Sequence, residues 1–237
     1  MRALSLTSLG LALALGLVPT AQAGPTTYAF GLLTRGGAWT PQVTPETTRI
    51  QAAHMANIRR LAERGKLVAA GPMGDDGTLR GLFVFKTETL DEARALGDTD
   101  PAVRAGRLAL ELHPWRAPEG IGAGYDLEKS KQEGAKDQMQ EHPLVFLRRR
   151  PGSPADAATL ARVAAEQQAW CDALQAQGKL SIAGPFTDAG ELRAVLVFAP
   201  GLASDEAKRL VADSPAVRQG LDDAEPHTWW VAKGVLP

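Results

Sequence analysis

A chain of 237 residues with 44% hydrophobic and 22% charged side chains has room for one large domain or two of ordinary size. Its net charge of −1 gives no global field drawing it to nucleic acid or anionic lipid. The single cysteine, Cys171, excludes an internal disulfide and a cysteine metal cluster.

Residues 1–23 read as a bacterial-type secretory signal. Met1-Arg2 is a short positive start, Leu9 to Val18 an apolar run too short for a permanent membrane span, and Ala21-Gln22-Ala23 a small-x-small site. Cleavage is predicted between Ala23 and Gly24, which places the mature protein in the periplasm or outside the cell, with no further membrane association.

After the signal, Thr27 to Leu33 predicts a strand closed by Arg35-Gly36-Gly37. Thr44-Pro45 opens a helix, a capping threonine before a proline at the first helical position, and Gly65 ends it. Its buried stripe is Ile50, His54, Ile58 and Leu61, with a histidine where a hydrophobe is expected. Leu67 to Ala70 is a short strand, Gly74 to Gly77 a turn, and Leu79 to Phe85 a longer strand. Thr89 to Glu92 reads as a capping box opening a second helix, and Asp100-Pro101 starts one more helical turn. Leu108 to Trp115 is the last strand. The order β-α-β-β-α-β is the ferredoxin-like arrangement.

The same order then returns. Gly65 to Pro72 (Gly-Lys-Leu-Val-Ala-Ala-Gly-Pro) recurs at Gly178 to Pro185 (Gly-Lys-Leu-Ser-Ile-Ala-Gly-Pro), and Pro101 to Arg104 recurs as Pro215 to Arg218. Val163, Gln167, Cys171 and Leu174 take the places of Ile50, His54, Ile58 and Leu61. The chain therefore divides into a first repeat at 24–117, a linker at 118–142 and a second repeat at 143–237. Arg148-Arg149-Arg150 reads as a solvated strand end.

Four features in order resemble the YCII-related (YciI-like) family: His54 on the first helix, Gly65 to Pro72, Asp100 to Gly106, and Pro114-Trp115. The resemblance covers residues 27 to 116 and, more loosely, 143 to 232. It implies ferredoxin-like α+β units that pair through their sheets into a dimeric α+β barrel, here an internal pseudo-dimer. It also implies a histidine and an aspartate in a cleft as the active site, in a family whose members often have no assigned activity. One relative resembles a dehalogenating enzyme acting on chlorinated hydroxylated aromatics. The signal segment departs from the usual cytoplasmic member.

His54 with Asp100 is then the candidate catalytic pair, imidazole for proton transfer and carboxylate to fix its tautomer. Arg35, Gly71, Pro72 and Trp115 are the candidate ligand contacts, Arg35 for an anionic oxygen. The bland reading makes His54 a core histidine and Asp100 a helix cap. In the second repeat Gln167 and Ser214 stand at these two places, so that repeat keeps the structural parts and loses both ionisable groups, a degenerate site. His113 and His227 recur at equivalent places and read as hydrogen bonds closing a sheet edge. No spacing offers three converging metal ligands, no phosphate loop or Gly-x-Ser-x-Gly elbow occurs, and no cofactor is implied. The expected function is acid–base chemistry on a small aromatic or enolisable molecule in the first repeat. The alternative is a non-catalytic module that binds a small ligand or a protein partner.

Overall fold

A computed structural model describes residues 25–126, 137–153 and 156–237. The expected signal segment and residues 127–136 of the expected linker lie outside the described residues. The first repeat holds β1 (Pro25–Arg35), α1 (Pro45–Glu63), β2 (Leu67–Pro72), β3 (Leu79–Phe85), α2 (Leu90–Gly97), α3 (Pro101–Arg104) and β4 (Leu108–Pro118). The second holds β5 (Met139–Arg149), α4 (Ala157–Ala176), β6 (Leu180–Pro185), β7 (Leu192–Phe198), α5 (Ser204–Ala212), α6 (Pro215–Arg218) and β8 (Asp222–Ala232). Strand β5 begins at Met139, inside the stretch assigned to the linker from its lack of apolar periodicity. Its first residues pair with the end of β8, so cross-strand bonding rather than patterning makes them strand.

Each repeat forms one antiparallel four-stranded sheet, in the orders β2-β3-β1-β4 and β6-β7-β5-β8. Side chains alternate along β1, as the pleat requires. Tyr28, Phe30 and Leu32 enter one core and Ala29 and Leu33 another. The first core lies between the two sheets, where Phe30, Leu82 and Val84 meet Leu144, Phe146 and Val197. The second lies between the first sheet and its helices, around Leu61, Phe83 and Phe85, and a matching core underlies the second sheet. Strands buried on both faces explain the near-continuous apolar runs.

The sheets also join at their edges. Gly74 donates its N–H to Thr228 O at 2.8 Å, and Thr187 donates to Pro114 O at 2.9 Å. Trp229 Nε1 donates to Gly71 O at 3.2 Å, and Trp115 Nε1 to Gly184 O at 3.0 Å. These reciprocal pairs relate the repeats as pseudo-symmetric halves of one closed α+β barrel.

The recurring eight-residue stretch has a physical reason at each end. Gly65 and Gly178 follow their helices with φ of 65° and 67°, the left-handed cap that side chains disfavour. A Cβ on Gly71 would lie 1.8 Å from Trp230 O, and one on Gly184 2.0 Å from Arg116 O. Only glycine lets the neighbouring strand of the other repeat come this close.

Candidate active site

Helix α1 begins where predicted: Thr44 caps it, accepting the Thr47 N–H at 3.1 Å, with Pro45 in the first turn. Helix α2 keeps half of its expected box. Thr89 accepts from Glu92 N at 3.1 Å, but the Glu92 carboxylate turns to Glu88 N and the Lys66 ammonium. The caps set α1 across the sheet so that His54, Asn57 and Leu61 face inward, with Ile50 and Ile58 only half-buried.

His54 meets Asp100 there. Nδ1 lies 2.9 Å from Oδ1 and 2.8 Å from Oδ2, and Asp100 is fully buried. The same carboxylate caps α3, taking the N–H of Ala102 at 2.8 Å and of Val103 at 3.4 Å. Asn57 Nδ2 is a further donor at 3.4 Å. Every partner of Asp100 donates, so the group acts as an acceptor throughout, and His54 must present Nδ1–H to it. The lone pair of the neutral ring is thereby fixed on Nε2. That nitrogen makes no hydrogen bond among the described residues and is not sealed from solvent. The ring stacks on Phe83 at 6.0 Å and 18° and lines a cleft of about 920 Å³ between α1 and the sheet.

Asn57 was not among the sequence-based candidates. Its Oδ1 accepts from Arg60 Nη2 at 2.5 Å and from Thr99 Oγ1 at 3.2 Å, tying the pair to the next turn of α1 and to the α2–α3 corner. The available signal was its spacing, three residues beyond His54 on the same helix face.

The other candidates divide. Arg35, Gly71 and Pro72 line the same cleft as His54. Arg35 packs its guanidinium 4.0 Å over the Trp39 ring and donates to Asp76 O at 2.9 Å, which leaves it a rim cation already engaged. Gly71 belongs equally to the seam between the repeats. Trp115 is not brought to the cleft. It is 1% exposed, packed in the inter-sheet core against Tyr28 and Phe30, with its N–H on Gly184 O. Its position near the end of the repeat pointed to a pocket wall, but β4 turns that ring inward under the other repeat.

The second repeat shows what the degenerate pair does. Ser214 makes no capping bond, contrary to expectation, and its Oγ is buried without a partner among the described residues. Gln167 Oε1 instead crosses from α4 and accepts the Ala216 N–H at 3.2 Å. The amide has taken over the capping task of the carboxylate. Cys171 lines the second cleft and burial pushes its thiol up to about 12, so it stays protonated and behaves as a small hydrophobe.

His113 and His227 do close the barrel, with carboxylate partners. His113 Nδ1 lies 2.7 Å from Asp188 Oδ2, and His227 Nδ1 lies 2.9 Å from Asp75 Oδ2, each aspartate belonging to the other repeat. The Nε2 atoms reach Glu111 and Glu225 at 3.0 Å. Among the described residues no group of three or more His, Cys, Asp or Glu side chains is arranged to hold a metal ion, and no helix is long and apolar enough to cross a membrane.

Fold and cleft together define a dimeric α+β barrel built within one chain, with a histidine–carboxylate pair in one of its two halves. The chain belongs to the YCII-related family: the sequence profile of the YCII-related domain matches residues 37–116. It is similar to the uncharacterized protein YjpA of Bacillus subtilis strain 168, 31% identical over 65 residues, covering 27% of this chain and 74% of that protein. It is also similar to the protein YciI of Escherichia coli O6:H1, 34% identical over 65 residues, covering 24% of this chain and 66% of that protein's length. Among solved structures it is similar in fold to a mutant chlorite dismutase from Candidatus Nitrospira defluvii, with a TM-score of 0.55 at 11% identity. That likeness covers 90% of this chain and 92% of the other, so it spans both repeats.

Proposed function

We propose that the first repeat performs general acid–base chemistry on a small molecule with an acidic C–H or O–H, an enol, phenol or enolisable carbonyl compound. The observation that carries this is the polarity of His54, whose ring lines the cleft: Nδ1 is held by a fully buried carboxylate while Nε2 has no partner among the described residues and is not sealed from solvent. Nε2 would take the substrate proton. The resulting imidazolium keeps its Nδ1–H on Asp100, and returning the proton from Nε2 completes the cycle. Leu33, Ile58 and Phe83 supply apolar wall, and Arg59 gives the cleft a cation for an anionic oxygen, with Arg35 and Arg107, each already donating to a backbone carbonyl, adding positive charge.

The test is proton exchange in D₂O. Pyruvate, acetoacetate and acetylacetone are followed by NMR with wild type and with His54→Gln, the residue the second repeat carries. Wild type is expected to accelerate exchange of at least one compound, and the variant to fall to the uncatalysed rate. Equal rates with and without His54 would sink the proposal. Binding that perturbs His54 without any exchange would favour the non-catalytic reading.

Export is part of the same proposal, supported by the charged start, apolar run and small-x-small site of residues 1–23. N-terminal sequencing of the protein from a periplasmic fraction is expected to begin at Gly24. Recovery of the intact chain from the cytoplasm would contradict it.

A further inference from the structure

The second repeat has its own cleft of about 340 Å³, bounded by Leu160, Val163 and Cys171 on one side and Leu196 on the sheet. It lacks the chemistry of the first. Gln167 is spent on the Ala216 N–H and the Cys171 thiol stays protonated, so the helix positions that answer His54 and Ile58 supply no base. What it has is a charged corner. Asp222 opens β8 opposite Arg149, the last residue of β5, and Arg193 lies on the neighbouring β7. Asp222 is 9% exposed and lines the cleft, and its carboxylate accepts no hydrogen bond among the described residues. Burial pushes that carboxyl up, against the pull of Arg193 and Arg149. Arg149, exposed, and Arg193, half-buried, both line the cleft, and neither side chain makes a hydrogen bond or a close ion pair among the described residues.

A nine-tenths buried carboxylate and two arginines that attract it without a direct hydrogen bond stand beside an apolar slot. The arginines call for a carboxylate, the aspartate for a donor next to it, and the slot for an apolar body. We infer that the second cleft is a binding site for a small α-hydroxy acid with an apolar body, its carboxylate on Arg149 and Arg193 and its hydroxyl donating to Asp222. The repeats have then diverged in task, one cleft equipped for proton transfer and the other for holding a ligand unchanged. This inference stands apart from the reading of the first cleft.

Mandelate and phenylacetate, which differ by the hydroxyl, are the probes. They are titrated into methyl-labelled full chain, where Leu160, Val163 and Leu196 report the second cleft and Ile58 and Leu67 the first. Mandelate is expected to shift the second set, and phenylacetate to bind there several-fold more weakly. The double variant Arg149→Gln/Arg193→Gln is expected to weaken mandelate about tenfold or more, as loss of charge-assisted bonds does. Asp222→Asn, which is isosteric, should narrow the gap between the two acids. The inference is overturned if mandelate shifts none of these methyls, if shifts are confined to Ile58 and Leu67, or if the double variant binds as wild type does.

Discussion

Between the repeats the pair His54 and Asp100 becomes Gln167 and Ser214, and the contact geometry explains why the two positions change together. Asp100 does two tasks with one carboxylate: it caps α3 and it orients His54. In the second repeat Ser214 does neither, and the glutamine amide reaches the cap instead. The joint change is therefore a consequence of direct contact and is not by itself a sign of catalysis. It makes a quantitative prediction. Asp100→Ser alone strands the Nδ1–H and two backbone N–H groups and should cost about 2–3 kcal/mol. Adding His54→Gln, which supplies the amide that serves α6, should restore about 1 kcal/mol, read by urea unfolding as a double-mutant cycle. Strictly additive losses would show that the glutamine does not take over the cap.

At the scale of elements, most of the chain was legible. Thr44-Pro45 opened α1 where the capping rule puts it, Gly65 ended it, and Leu79–Phe85 is strand β3 to the residue. Recurrence at a near-constant offset of 113 to 114 residues forecast two like units, and each forms its own sheet. The failures share one physical cause, since a linear pattern reports burial and local caps but not which distant element lies opposite. Strand β5 starts earlier than its apolar run because β8 supplies hydrogen bonds to polar residues. Trp115 turns into the other repeat, and His113 and His227 find aspartates there. Asn57 escaped notice because its partners, Thr99 and Asp100, join it only when α3 packs on α1. Each of these contacts exists only after the chain has closed on itself.

The molecule as a whole is held shut by hydrophobic burial between the sheets, with the reciprocal histidine bridges across the seam. Burial alone would raise Asp75, but the hydrogen bond and charge of His227, with the Gly77 and Thr228 N–H groups, hold it below the usual carboxylate range. Glu225 is likewise held low against its burial by Arg148 and then His227. A depressed carboxylate contributes stability that is complete above its ordinary value and lost as pH falls through its folded value. The melting temperature should thus be level down to about pH 5 and drop below about pH 4. The variant His227→Gln should melt lower at pH 6 and show a shallower acid drop. An acid drop as steep as that of wild type would show that its bridge carries no such linkage.

The central claim is that one half of this barrel points a bare imidazole nitrogen into its cleft, and the ¹⁵N spectrum of the His54 side chain tests it most directly. In neutral His54 the account predicts a protonated Nδ1 and an unprotonated Nε2. In Asp100→Asn the amide would face Nδ1, and the proton should move to Nε2, leaving no base in the cleft. A wild-type ring protonated at Nε2, or a tautomer indifferent to Asp100→Asn, would contradict the account and return His54 to the core.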